Sequence, residues 1–216
     1  LIDFTMTDSN ANNYPQVKIG AAVGRNADAD SIPKEGSGAF VVYTSPGSST
    51  TDGEDNTEER ILPFLNDIKF IKTPKNLGVA GASNLGLKHS KGQFFIRVDA
   101  DDFVNTNMCY FMKEYLEANN DAFCVSCDYY LVDNFENVLE RKYSKINNIS
   151  CGVMYRKDLL LELGGYNSNM RHREEEELRK RLGDTYKIHH LEMPFYKYRM
   201  HDHNKTKTPE YKTVKI

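Results

Sequence analysis

No apolar run in this 216-residue chain approaches the roughly 20 residues that a membrane-spanning helix needs. Positive charge is not in excess either. The 28 Lys and Arg face 31 Asp and Glu, and the net charge of -3 argues against a nucleic-acid binder that relies on bulk positive charge. The opening Leu1-Ile2-Asp3-Phe4-Thr5 lacks the basic-then-apolar layout of a signal peptide, so a cytoplasmic location is the expectation. Cysteine is scarce: Cys109, Cys124, Cys127 and Cys151. Cys124-Val125-Ser126-Cys127 has metal or redox spacing, but one pair without a second makes a poor zinc site. Its neighbours Ala122, Phe123 and Tyr129 read as a strand, which points to buried thiols in a reducing compartment. The absence of a Gly-x-x-x-x-Gly-Lys-Ser/Thr loop argues against a P-loop nucleotide hydrolase. What is present, 39% apolar and 27% charged residues, suits one globular domain.

Residues 1–16 are polar and read as an arm, and residues 207–216 as a polar tail. Between them, apolar runs predict strands over 17–23, 39–43 and 68–71, with a helix entering through Ile61, Phe64 and Leu65. Residues 78–88 predict a helix whose small residues, Gly81 and Ala82 with Leu85, pack on a sheet. The run 93–98 predicts a buried strand, and 105–119 returns to helical spacing through Met108, Phe111, Met112, Tyr115 and Leu116. Strands follow over 122–125, 129–132, 151–156 and 186–190, and helices over 157–163 and 174–182. Alternation of strand and helix implies an α/β sandwich with a mainly parallel central sheet, extended in its second half by antiparallel strands.

Four segments carry chemistry. Asp99-Ala100-Asp101-Asp102 gathers three carboxylates in four positions at a strand end, where a hard divalent cation would offset their repulsion. A solvated acidic turn is the bland alternative. Asn76-Leu77-Gly78 and Asn84-Leu85-Gly86 bracket small residues that let a backbone approach a phosphate or ribose, or that merely slim a helix for sheet packing. Glu174-Glu175-Glu176-Glu177 ahead of Arg179-Lys180-Arg181 reads first as an exposed helix with Glu175–Arg179 and Glu177–Arg181 pairs. The sharper reading turns one early glutamate into a cleft as general base. Tyr198-Arg199-Met200-His201-Asp202-His203 offers His201 as a metal ligand or phosphate contact, against a plain surface loop.

Taken in order from about Ile68 to Thr206, these segments resemble glycosyltransferase family 2, whose fold is GT-A. Asn76 to Gly86 and Lys91 to Asp102 look like that family's nucleotide-side helix and D-x-D motif. Gly164-Gly165-Tyr166, Glu174-Glu175 ahead of Leu178, Arg181-Leu182, and Tyr198 to His201 look like its acceptor-side elements. The resemblance implies a single GT-A-like domain over 17–206, with a Rossmann-like nucleotide-sugar half at 17–104 and an acceptor half at 105–206. It implies a hexosyltransferase-type enzyme of polysaccharide biosynthesis that works by metal-assisted single displacement with inversion. By this resemblance Asn76, Gly78, Asn84, Asp99 and Asp101 bind the donor, with a UDP-sugar the first choice. Asp101, Asp99 and His201 hold Mn²⁺ or Mg²⁺, Asp102 supports the site, and Glu175 is the base with Glu174 second. The acceptor is a glycan or lipid-linked glycan, with contact at the inner face of a membrane, and nucleic acid is no partner.

The chain departs from the family where Tyr43-Thr44-Ser45-Pro46-Gly47-Ser48 replaces an Asp-Asp-Gly-Ser motif, and where Glu175 replaces the commoner Asp. Two rival readings stay open. One is a degenerate GT-A domain that binds a nucleotide or a partner. The other is a sugar nucleotidyltransferase, for which Gly20 to Arg25 would serve as the phosphate loop.

Overall fold

The computed structural model describes residues 17–23, 39–44, 62–66, 68–73, 77–99, 102–170 and 172–200. Its elements are β1 (Val17–Val23), β2 (Ala39–Thr44), a 3-10 turn (Leu62–Phe64), β3 (Ile68–Lys72), α1 (Gly78–His89), β4 (Phe94–Asp99) and β5 (Phe103–Val104). After these come α2 (Met108–Ala118), β6 (Ala122–Val132), β7 (Val138–Lys142), β8 (Val153–Arg156), α3 (Lys157–Glu162), α4 (Glu174–Leu182) and β9 (Lys187–Arg199). The strands form one sheet in the order β3-β2-β1-β4-β8-β6-β9-β5, with β7 on β6.

The α/β class stands, but the sheet is mixed where a mainly parallel one was expected. Among the described residues only β2–β3 and β6–β9 pair in parallel. β1 runs antiparallel to both β2 and β4. Apolar periodicity marks a strand and carries no direction, so the sequence could not report this. Because β4 and β6 both lie antiparallel to β8, and β9 lies parallel to β6, the carboxyl ends of β4, β6 and β9 share one edge. In an open α/β sheet that edge is where ligands collect.

Two apolar layers hold the sheet. One joins Phe94, Ile96, Met108, Met112, Leu116, Val125 and Met154 under α2. The other joins Phe95, Phe123, Tyr155, Leu160, Tyr166 and Leu178 under α1, α3 and α4. In α1 the buried residues are Val79, Ala80, Ser83, Gly86 and Leu87, so the packing face is one step round from the expected Gly81, Ala82 and Leu85. The helix expected through Ile61 to Leu65 is, in its described part, a 3-10 turn around Pro63, which has no N–H to donate. Cys124, Cys127 and Cys151 are buried as free thiols, and Cys109 is half-buried. Burial raises Cys109 to about 11 and Cys127 to about 12, so both stay protonated at neutral pH. Among the described residues no helix is long and apolar enough to cross a membrane.

Candidate active site

β4 delivers Asp99 to the carboxyl edge of the sheet. Phe94, Phe95 and Ile96 are buried, and the strand emerges only at Val98 and Asp99. The Asp102 N–H donates to the Asp99 carbonyl at 3.1 Å. Asp102 is buried and accepts at both carboxylate oxygens. The Tyr196 hydroxyl donates to Oδ2 at 2.7 Å and the Arg199 N–H to Oδ1 at 2.9 Å. Tyr196 Oη in turn accepts the Asp99 N–H at 3.1 Å. One phenol on β9 therefore holds both Asp99 and Asp102. Asp101, between them, lies outside the described residues, as do Asn76 and His201.

Behind Asp99 lies a residue that the motif reading missed. Arg97 is 3% exposed in the middle of the sheet. Its Nη1 donates to Glu174 Oε1 at 2.9 Å. Its Nε lies 3.3 Å from Asp99 Oδ1 at ion-pair distance, without hydrogen-bond geometry. The guanidinium also stands over the Tyr166 ring, 5.9 Å from its centroid. Burial alone would lower the Arg97 pKa, but Asp99 and Glu174 outweigh it and hold the charge firmly. The signal was there to read: a charged residue inside Phe94-Phe95-Ile96-Arg97-Val98 must find a partner if the strand is buried.

The two glutamates that open α4 have different partners. Four acidic residues in the first turn and three basic ones in the last match the helix dipole. The pairs Arg179–Glu175 at 3.4 Å and Arg181–Glu177 at 2.8 Å form as the spacing predicts. Glu174 and Glu175 are nonetheless each only 5% exposed, which a merely solvated face would not produce. Glu174 points to Arg97. Glu175 accepts at Oε1 from the Tyr155 hydroxyl at 2.5 Å, while its Oε2 is buried with no hydrogen-bond partner. Burial raises the Glu175 pKa above the ordinary 4.5, against the opposing pull of Arg179 and Tyr155.

Asn84 is engaged as a clamp. Its Nδ2 donates to the Tyr166 carbonyl at 2.7 Å and to Ser168 Oγ at 3.1 Å, and its Oδ1 accepts the Tyr166 N–H at 2.8 Å. This ties α1 to the Gly164-Gly165-Tyr166 loop that leads to α4. Gly78 opens α1 with a φ of +69°.

Residues 50–203 match the model of Glycosyl transferase family 2. The chain belongs to that family. Solved structures agree on the fold of this family 2 chain. S. aureus TarS (residues 1-349) superposes with a TM-score of 0.57 at 18% identity, over 68% of this chain and 49% of that one. The mannosyltransferase PcManGT from Pyrobaculum calidifontis, in complex with GDP-Man and Mn²⁺, gives 0.54 at 17% identity, over 73% and 47%. The chain thus spans about half the length of these solved relatives. A comparison with curated proteins finds no match.

In this family 2 chain Asp99, Asp102 and Cys151 bring one possible metal-donor atom each to within 4.8 Å of one another. Their chemistry separates them. Burial pushes the Cys151 thiol well up, so it stays protonated and soft, a poor ligand for Mg²⁺ or Mn²⁺. Asp102 already accepts a hydrogen bond at each oxygen. The Asp99 carboxylate at the strand end is the described donor that fits a hard cation.

Proposed function

We propose that the chain transfers a sugar from a nucleotide-diphosphate sugar, a UDP-sugar first, to a hydroxyl of a glycan or lipid-linked glycan. The donor half is 17–104 and the acceptor half 105–206. Asp99 and Asp101, with His201, would hold Mn²⁺ or Mg²⁺, which when bound supplies charge for the leaving diphosphate. Asn76, Gly78 and Asn84 would line the nucleotide side.

Glu175 acts as the base. The acceptor hydroxyl gives its proton to Glu175 Oε2 while its oxygen bonds to the anomeric carbon. The bond from that carbon to the diphosphate oxygen breaks, and the nucleoside diphosphate leaves with the electron pair. One displacement from the face opposite the leaving group inverts the centre. The observation that carries this reading is the Glu175 carboxyl itself, with one oxygen fixed by Tyr155, the other without a hydrogen-bond partner, and its proton affinity raised. The GDP-Man and Mn²⁺ bound by PcManGT support the donor class and the cation.

A second reading, a binding module without turnover, is favoured by the 5% exposure of Glu175, because an acceptor reaches Oε2 only after its surroundings open. Hydrolysis or transfer from UDP-, GDP-, dTDP- and CMP-sugars, with and without Mn²⁺, decides between them. Turnover that needs Mn²⁺ and is lost in Asp101→Ala supports the transferase. No turnover of any donor leaves the module.

A further inference from the structure

Glu174 and Glu175 are neighbours in sequence, yet the contacts around them give them different work. Arg97 sits between Asp99 on β4 and Glu174 on α4, and its hydrogen bond goes to Glu174 at 2.9 Å. Its approach to Asp99 at 3.3 Å lacks hydrogen-bond geometry. An arginine buried beside a single aspartate forms a neutral pair, and that aspartate then attracts a cation far less. A second carboxylate changes the balance, since two carboxylates around one guanidinium leave a net charge of minus one on the trio, in addition to the Asp102 carboxylate that lies within 4.8 Å of Asp99. The Tyr166 ring at 5.9 Å helps to keep the guanidinium in place without neutralising it. Arg97 and Glu174 are sealed from water, 3% and 5% exposed, so solvent does little to screen their pair, while the Asp99 side chain is 19% exposed.

We propose that Glu174 is a positioning residue of the donor site: it anchors Arg97 on α4 and so preserves the negative charge of Asp99 for a nucleoside diphosphate and its divalent cation. The inference rests on the transferase reading and removes Glu174 from the candidates for base. It also makes Arg97 the link between the two walls of the site, because the same guanidinium meets the donor-side strand and the helix that carries Glu175.

The test is calorimetric titration of wild type, Glu174→Gln, Glu174→Asp and Glu175→Gln with UDP and with GDP, each with Mn²⁺, alongside turnover at saturating donor. Glu174→Gln is expected to weaken nucleoside diphosphate binding by about tenfold, the scale of losing a group that supports a metal ligand from behind. Its turnover at saturation should stay within about threefold of wild type, with the acid limb of its pH profile unmoved. Glu174→Asp, which keeps the charge, should recover most of the affinity even if the glutamine variant folds poorly. Glu175→Gln should show the reverse split, with binding kept and turnover lost. Wild-type affinity in Glu174→Gln overturns the proposal while leaving the transferase reading intact. So does loss of turnover with affinity unchanged, which would make Glu174 the base. A wild-type chain that binds neither nucleotide overturns the donor reading and the proposal together.

Discussion

The Tyr196 hydroxyl donates a 2.7 Å hydrogen bond to Asp102 across the carboxyl edge of the sheet, and the same oxygen accepts the N–H of Asp99 at 3.1 Å. Tyr196 and Asp102 are both buried, so neither end of this arrangement can turn to water instead. Tyr196→Phe keeps the ring and removes only the oxygen. It takes one partner from Asp102 Oδ2 and one from the Asp99 N–H, at a cost of about 1–3 kcal/mol. Urea denaturation should show that loss through a lower midpoint with an unchanged slope. A midpoint equal to wild type would mean that the setting of Asp99 and Asp102 does not depend on the Tyr196 hydroxyl.

Glu175 makes a prediction about pH. Burial raises its folded pKa above the ordinary 4.5, so the folded chain binds this proton more tightly than the unfolded chain. The favourable contribution is therefore complete below about 4.5 and is lost as pH rises through the raised folded value. Glu175→Gln does not titrate and escapes that loss. Its stability relative to wild type should grow as pH rises from about 4.5 through the raised folded value, read from denaturant midpoints at each pH. A difference that stays constant, or shrinks, would place the Glu175 pKa at or below its ordinary value.

The parts of the site that were legible in the sequence are those set by local pattern. Phe94 to Val98 followed by Asp99 had to be a buried strand ending in acid, and Glu174 to Leu182 had to be a helix with acid first and base last. What the sequence could not say is which of two adjacent glutamates meets which partner. Side chains one residue apart on a helix point about 100° apart, so the answer depends on how α4 docks against Arg97 and Tyr155, which come from β4 and β8. The clamp made by Asn84 lies beyond local pattern because its partner loop is 82 residues away. β7 went unread because Val138, Leu139 and Glu140 are exposed, and an edge strand in water need not alternate. The antiparallel setting of β1 was hidden because a strand's apolar pattern is the same in either direction.

The Asn84 clamp can be tested at its narrowest point. Gly165 has a φ of +68°, and a Cβ there would come within 2.5 Å of Asn84 Oδ1. Gly165→Ala therefore meets backbone strain and a clash together, and should cost about 2–3 kcal/mol. Gly164→Ala offers a control, since Gly164 has a φ of +81° but a methyl group there would meet nothing within 4 Å. Thermal melting should place Gly165→Ala below Gly164→Ala. Equal melting temperatures would show that the contact with Asn84 is not what constrains the loop.

Sugar transfer with Glu175 as the base is tested most directly by turnover of a nucleotide-sugar with Mn²⁺, measured in wild type and Glu175→Gln side by side. Wild type should turn the donor over, with the anomeric centre inverted in the product. Glu175→Gln should turn over about 100-fold or more slowly with donor affinity retained, the scale of a lost general base. Wild-type turnover in Glu175→Gln, or a product with the anomeric centre retained, would rule out single displacement with Glu175 as the base.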